Sequence, residues 1–348
     1  MKAEPIGIGF VGLGFGGYIA ETVLTGPARE FFSIEGVCDA DQRKAAEFGE
    51  RHGLRVHRSL DDLLADDAIA AVALFSEPHG RAALLSRIIR AGKDVITTKP
   101  FELDPISTRK VFEEAGSLGR VIHVNSPGAK YPAYLRQMQQ WRDEYDLGRP
   151  VGCRGEMLVS YREKADGRWL DDPTKAPAAP LFRLGIYVIS DMIRLFGRVA
   201  KVQTLSSRLF TERPTADNAQ LNLLFENGAL GNIYATFGVD NGQHYAGSLI
   251  FHFERGTIYR NMSPVAYGQA EGSSRLSLVT CGVEKQVITR EFESQEASGS
   301  YQWEAFHAAI TGSRPVRTPA EDITHGVEIL EAMARSEKSG ATEAILKY

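Results

Sequence analysis

The sequence is poor in cysteine. Its three cysteines, Cys38, Cys153 and Cys281, are far apart, odd in number and outside any C-x-x-C pair. That excludes a disulfide framework and a zinc site of common spacing, and reads as reduced thiols in a cytosolic protein. No His, Cys, Asp or Glu cluster has metal-ligand spacing, so no metal is expected. Long apolar runs are also missing. The stretch from Ile6 to Ala20 comes nearest, but six glycines break it and Glu4, not a basic segment, precedes it. This argues against a signal peptide or a membrane span, and there is no twin arginine; the expected location is cytoplasmic. Charge of one sign is nowhere concentrated: 40 Lys and Arg stand against 44 Asp and Glu, a net charge of -4. That balance gives no electrostatic reason to expect nucleic acid or an anionic membrane as partner. No repeat of fixed period is present.

What is present suggests two domains. The chain has 348 residues, 43% of them hydrophobic, enough for two cores. The first part alternates short apolar runs with helical patterns. Strands are expected at Ile6 to Val11, Ile34 to Cys38, Ala71 to Phe75, Asp94 to Thr98 and Val121 to Val124. Helices between them start at Gly16, after Asp41, near Leu84, and at Asp104-Pro105, a cap followed by proline at the first helical position. Such repeated βα units form a parallel sheet covered on both faces. After about Asn125 the pattern changes. Gly152 to Tyr161 reads as an alternating strand, Leu181 to Phe196 as a strongly apolar helix, and three strand pairs follow. The first pair turns at Glu226-Asn227-Gly228, where Asn-Gly favours the turn that matches strand twist. Two helices end the chain, near Gln302 to Ile310 and Glu321 to Ser339. The expected fold is an α/β Rossmann domain, residues 1–124, plus an α+β domain with a large, mainly antiparallel open sheet, residues 125–348.

Gly12-Leu13-Gly14-Phe15-Gly16-Gly17 fits G-x-G-x-x-G between the first strand and the first helix. Gly12 permits the tight turn, Gly14 lets backbone approach a pyrophosphate, and Gly17 lets helix and strand pack closely. The helix N-terminus, with Phe15 and Gly16, offers amide donors to phosphates. Asp39 ends the second strand, 22 residues after Gly17. An acid there accepts hydrogen bonds from the adenosine ribose and repels a 2′-phosphate. No arginine directly follows it, and Arg43 lies further into the helix. The expected cofactor is therefore NAD, with NADP less favoured. The plain alternative for Asp39 is a solvated acid at a strand end.

The glycine loop, Ser76-Glu77-Pro78-His79 after one strand and Thr97-Thr98-Lys99-Pro100 after the next resemble the glucose–fructose oxidoreductase / inositol dehydrogenase / rhizopine-catabolism (Gfo/Idh/MocA) family. Leu147 to Gly152, Leu184 to Asp191 and Ala332 to Ser336 resemble its helix-to-strand joint, its second-domain active-site helix and its closing helix. The resemblance covers nearly the whole chain and implies an oxidoreductase acting on a sugar, polyol or sugar derivative. It also implies a homodimer or homotetramer, with Ser76 and His79 beside the cofactor, Lys99 and Tyr187 catalytic, and a cis Lys99–Pro100 bond. Two positions depart from the pattern. Thr98 stands where the family has glutamate, and Arg183-x-x-x-Tyr187 stands where it has Asp-x-x-x-His. The family includes members with tyrosine at the position of Tyr187.

Lys99 follows a buried strand at the sheet's carboxyl edge, where open α/β sheets place ligands, and can contact both cofactor and substrate there. It can hold a substrate oxygen and stabilise alkoxide-like charge; the bland alternative is a surface lysine with a buried stem. Tyr187 is the candidate for proton transfer, helped by a nearby cation. Helical spacing puts Arg183, Tyr187, Asp191 and Arg194 on one stripe, toward the cleft or toward solvent. His79 lies near the nicotinamide or makes a local bond at a helix start. Asn125 contacts cofactor or substrate at the end of the last Rossmann strand, or serves the fold. Arg183 cannot accept a hydrogen bond. It therefore points to an acidic sugar derivative or a ring oxygen-rich ligand that presents acceptors, or else pairs with Asp171 or Asp172 and leaves a neutral site. Two rival functions stay open. One is an NAD-binding regulator without turnover. The other is hydride transfer on an aldehyde or ring diol, although Cys153 sits in an ordinary strand pattern. Apolar residues on both faces of Leu221 to Phe225 agree with an assembly through the second sheet.

Overall fold

In a computed structural model, residues 4–240, 245–262, 273–282, 284–295, 301–312 and 319–347 are described. The chain divides into two compact units, residues 1–130 with 301–320, and residues 131–300 with 321–348.

The first unit is a six-stranded, all-parallel sheet. In chain order it comprises β1 (Ile6–Val11), α1 (Phe15–Thr25), β2 (Phe32–Cys38), α2 (Gln42–His52), β3 (Arg55–Val56) and α3 (Leu60–Leu64). There follow β4 (Ala71–Leu74), α4 (Arg81–Arg90), β5 (Asp94–Thr97), α5 (Pro105–Ser117) and β6 (Ile122–Val124). The strand order is β3-β2-β1-β4-β5-β6, so the direction of winding reverses between β1 and β4. Ala71, Val72, Ala73 and Leu74 are all buried, as a strand covered on both faces requires. The two-residue β3 and the short α3 carry too little periodicity to read from sequence. Three of the helices begin at a residue whose side chain satisfies their first amides. Asp41 caps α2, Ser59 caps α3 and Asp104 caps α5.

The sequence reading assigns residues 301–320 to the second domain, whereas in the structure they cluster with the first unit. The reason is apolar. Helix α8 (Trp303–Ile310) brings Phe306, fully buried, against Phe32 with ring centroids 5.4 Å apart, and Trp303 against Phe10 and Phe32. Burying one such ring contributes about 1.5–3 kcal/mol. Gln302 ties the chain's exit to its return: its Oε1 accepts from Lys130 N (3.0 Å) and its Nε2 donates to Lys130 O (2.7 Å).

The second unit is built on nine strands. The strands are β7 (Pro150–Leu158), β8 (Val199–Ser207), β9 (Asn218–Phe225), β10 (Leu230–Thr236), β11 (Ala246–Phe253), β12 (Gly256–Arg260), β13 (Ser274–Cys281), β14 (Val287–Ser294) and β15 (Glu343–Ala344). Their order in the sheet is β14-β13-β12-β11-β7-β10-β9-β8-β15. The three expected hairpins, β9–β10, β11–β12 and β13–β14, all form, and every pair is antiparallel except β7–β10. Its helices are α6 (Ala133–Glu144), α7 (Ile186–Phe196) and α9 (Ala320–Ser339). The second face of β9 is more polar than the apolar argument for assembly supposed. Gln220 is exposed, and Asn222, which flanks Leu224, accepts from Asn232 Nδ2 (2.8 Å) on β10.

Candidate active site

The glycine loop sits where the sheet's winding reverses, the place where open α/β sheets bind ligands. Gly12 has φ +88°, and a Cβ there would lie 2.7 Å from the Phe75 carbonyl oxygen, so a side chain is excluded twice over. Gly14 has no neighbour within 4 Å of a Cβ position. The space a side chain would occupy there is therefore open. The close packing is made by Gly16, not by Gly17 as the motif suggests. A Cβ on Gly16 would meet the Phe75 ring at 2.8 Å, whereas one on Gly17 would be 3.4 Å from Phe48. Helix α1 starts with no side-chain cap, so its first amides remain available to an anion. These features fit a dinucleotide pyrophosphate. Phe15 is exposed on the first turn of α1 and stands edge-on to Phe75.

Asp39 braces this loop. Its Oδ2 accepts from Leu13 N at 2.6 Å and its Oδ1 from Asp41 N at 2.8 Å. Each oxygen keeps a lone pair for a ribose hydroxyl. Arg43 leans toward Glu47 (3.8 Å) on the exposed side of α2.

At the carboxyl ends of β4 and β5 the residues around Lys99 meet. The Lys99–Pro100 bond is cis. Half-buried Lys99 donates its backbone N–H to Asn125 Oδ1 at 2.9 Å. The Asn125 side chain is thus engaged in holding the lysine backbone. Ser76 is half-buried and its hydroxyl donates to Glu77 O (3.1 Å), while His79 is exposed in the turn before α4. Buried Arg81 also joins this group, and the motif reading missed it. One signal was legible: Arg81 falls in helical phase with buried Leu85 and Ile88, so a charge lies on the buried face of α4.

In the second unit the expected single helix is split. Leu181–Gly185 is a π-helical turn leading into α7, a device often found at functional sites. Arg183 lies in that turn and half-buried Tyr187 in the first turn of α7. The polar stripe does not face one way. Asp191 is buried, accepts from Tyr134 Oη (2.9 Å) and lies 3.6 Å from Arg260; Arg194 pairs with Asp322 (3.1 Å) and covers the Tyr131 ring. Neither is a solvated charge.

Arg183 binds neither Asp171 nor Asp172. Its fork grips Glu163 at 2.8 and 3.2 Å, and its guanidinium carbon lies 4.9 Å from the Tyr161 ring centre and 4.8 Å from that of Phe237. Arg213 takes Asp171 and Asp166 and also reaches Glu163 (3.2 Å). Burial alone would raise the Glu163 carboxyl, but Arg183 and Arg213 outweigh it and hold it below the usual carboxylate range. Glu163 is therefore ionised at neutral pH and compensates Arg183. Burial, and then the Tyr245 hydroxyl, push the neighbouring Tyr161 phenol far up, so it stays protonated at neutral pH. Among the described residues no cluster could hold a metal ion, and no helix is long and apolar enough to cross a membrane.

A parallel sheet of this order, with a glycine turn at its switch point and a second unit built on a large open sheet, defines a two-domain dinucleotide-binding protein. Residues 6–126 match the oxidoreductase family with an NAD-binding Rossmann fold, and residues 135–259 match the GFO/IDH/MocA C-terminal domain; the chain belongs to the Gfo/Idh/MocA family of oxidoreductases. It resembles inositol 2-dehydrogenase of Rubrobacter xylanophilus, 32% identical over 126 residues. That match spans 34% of either chain, about a third of the relative's length. Inositol 2-dehydrogenase 2 of Saccharopolyspora erythraea is 25% identical over 92% of this chain and 95% of its own. A candidate NADPH-dependent oxidoreductase from Desulfitobacterium hafniense has the same fold, with a TM-score of 0.79 at 17% identity over 99% of this chain and 98% of its own.

Proposed function

We propose that this protein transfers hydride between NAD and a hydroxyl or keto carbon of a neutral polyol, sugar or sugar derivative. The observation that carries the reading is Lys99, whose backbone is held at the carboxyl edge of a nicotinamide-binding sheet. Gly12, Gly14 and the first amides of α1 would hold the pyrophosphate, and Asp39 the adenosine ribose. When bound, the nicotinamide supplies the hydride acceptor for alcohol oxidation, or the donor in reverse. The Lys99 ammonium hydrogen-bonds the substrate oxygen and stabilises the negative charge that develops on it. By the sequence pattern, Tyr187 as its phenolate is the candidate acceptor of the hydroxyl proton, and Lys99 in its neutral form is the alternative. Similarity to inositol dehydrogenases supports a polyol, and the Arg183–Glu163 pair supports a neutral one, because a guanidinium already gripping a carboxylate is not an open receptor for another.

The test follows NADH absorbance across inositols, other polyols, neutral sugars and the matching sugar acids. Turnover is expected on neutral compounds and less on each acid. Saturable ligand binding with no turnover on any of them would favour the regulator reading, and faster turnover on the acids would remove the Arg183 argument.

The cofactor preference rests on Asp39. Wild-type protein is expected to bind NAD more tightly than NADP. Asp39→Ser should shrink the ratio of the two Kd values by roughly tenfold or more, the scale of one lost charge-assisted hydrogen bond. Because Asp39 also braces Leu13, NAD binding itself should weaken in the variant. Fluorescence titration with both dinucleotides measures this, and a wild type that prefers NADP overturns it.

A further inference from the structure

We propose that Arg81 is a positioning residue for Lys99, its guanidinium fork fixing the backbone on both sides of that lysine. The inference rests on the assignment of Lys99 above.

Arg81 opens α4 and is 1% exposed. Its Nη1 donates to Thr98 O (2.7 Å), to Phe101 O (3.1 Å) and to Pro100 O. Its Nη2 donates to Ser76 O, and its Nε reaches Ser76 Oγ at 3.4 Å. Thr98 and Pro100 are the residues flanking Lys99. The peptide unit that enters Lys99 is therefore held at its carbonyl by Arg81 and at its N–H by Asn125. The carbonyl two residues further along the chain, that of Pro100, is held by Arg81 again. One side chain thus ties the loop after β4 to the loop that carries Lys99.

The electrostatics make a purely space-filling role a poor account. A cation at a helix N-terminus opposes the helix dipole, and burial pushes the Arg81 guanidinium down to about 10, still charged at neutral pH. The nearby charge of Glu102 opposes that shift. Glu102 is itself 3% exposed, and its carboxylate accepts from Gly80 N (3.2 Å), Ala82 N (2.9 Å) and Leu103 N (2.8 Å). It therefore caps α4 from the same loop. An apolar side chain would fill this volume without the cost of a buried charge. It could not present several coplanar donors to carbonyls from two loops, which is what a guanidinium does and a lysine ammonium does poorly.

The experiment compares wild type with Arg81→Lys, Arg81→Met, Lys99→Ala and the double variant Arg81→Lys/Lys99→Ala, each loaded with NAD. Steady-state rates are taken with the best polyol of the panel above. Arg81→Lys is expected to lower kcat by about 100-fold, the cost of misplacing a reacting group by an ångström, with the NAD Kd changed less than about threefold. On the Lys99→Ala background the same substitution should cost less than about twofold more, because residues acting as one unit are non-additive. Hydrogen exchange supplies a readout without substrate. Amides of 98–103 should exchange at least about tenfold faster in Arg81→Lys, while those of β4 stay protected. Arg81→Lys guards against Arg81→Met failing to fold. Independent, multiplying losses, or a fall in NAD affinity parallel to kcat, mean that Arg81 is merely structural and overturn the proposal. So does near-normal turnover of Arg81→Lys beside an inactive Lys99→Ala, or unchanged exchange at 98–103. Near-normal turnover of Lys99→Ala instead removes the assignment of Lys99, and the role of Arg81 with it.

Discussion

Lys99→Ala is expected to lower kcat by about 10²–10³-fold, the loss typical of removing one preorganised donor to a developing oxyanion. The effect should fall on kcat and not on cofactor affinity. The residues that fit the pyrophosphate and the adenosine ribose lie at the carboxyl ends of β1 and β2, on the glycine loop and at Asp39. Lys99 instead follows β5, two strands further along the sheet from β1. Its backbone is held by Asn125 and its flanking carbonyls by Arg81, so truncating the side chain leaves the loop's own hydrogen bonds in place. Stopped-flow or steady-state NADH absorbance, together with a fluorescence titration of NAD, separates the two quantities. Activity within a few-fold of wild type would end the role given to Lys99. A weakened NAD Kd at unchanged kcat would move the lysine from substrate to cofactor.

The largest effect on stability is expected at Asp217, in the second unit. This carboxylate has no exposure, yet it accepts from Leu209 N (2.8 Å), Phe210 N (2.6 Å), Thr211 N (2.7 Å) and Asn218 Nδ2 (2.9 Å). Asp217→Asn removes the charge and half of the acceptor capacity at near-constant volume, and should cost about 2–4 kcal/mol in chemical denaturation at pH 7. The pH dependence has a definite sign. Burial alone would raise this carboxyl, but the N–H groups of residues 209–211 outweigh it and hold it below its ordinary value. A carboxylate depressed in the folded state contributes stability in full above its unfolded pKa of about 3.9, and loses it as pH falls through the lower folded value. The gap between wild type and Asp217→Asn should therefore narrow below about pH 4. If it stays constant down to pH 2, the charge is not what the variant lost.

The glycine loop shows how far residues alone can go. Gly12 was legible because a positive φ is a local demand, and the structure gives it φ +88°. The role assigned to Gly17 belongs to Gly16, because the ring that needs the space, Phe75, comes from another strand and not from the motif. Asp39 was placed correctly at the end of β2, but its bond to Leu13 depends on how two loops approach each other. Asn125 was a site candidate, while its role as a support for the Lys99 amide required the registry of β5 against β6.

The residues by themselves determined most of the element order, the parallel first sheet, the hairpins of the second and the glycine turn after β1. These follow from periods of two and of 3.6 residues and from turn conformations, which act over a few positions. Only the tertiary structure decided which charges cancel. Arg183 and Glu163 are twenty residues apart. Arg81 faces carbonyls from two loops, Asp191 faces Arg260, and the 301–320 segment returns to the first unit because Phe306 finds Phe32. Each is a contest between the cost of leaving water and the gain from a partner. That partner is set by the packing of distant segments, and no local pattern specifies it.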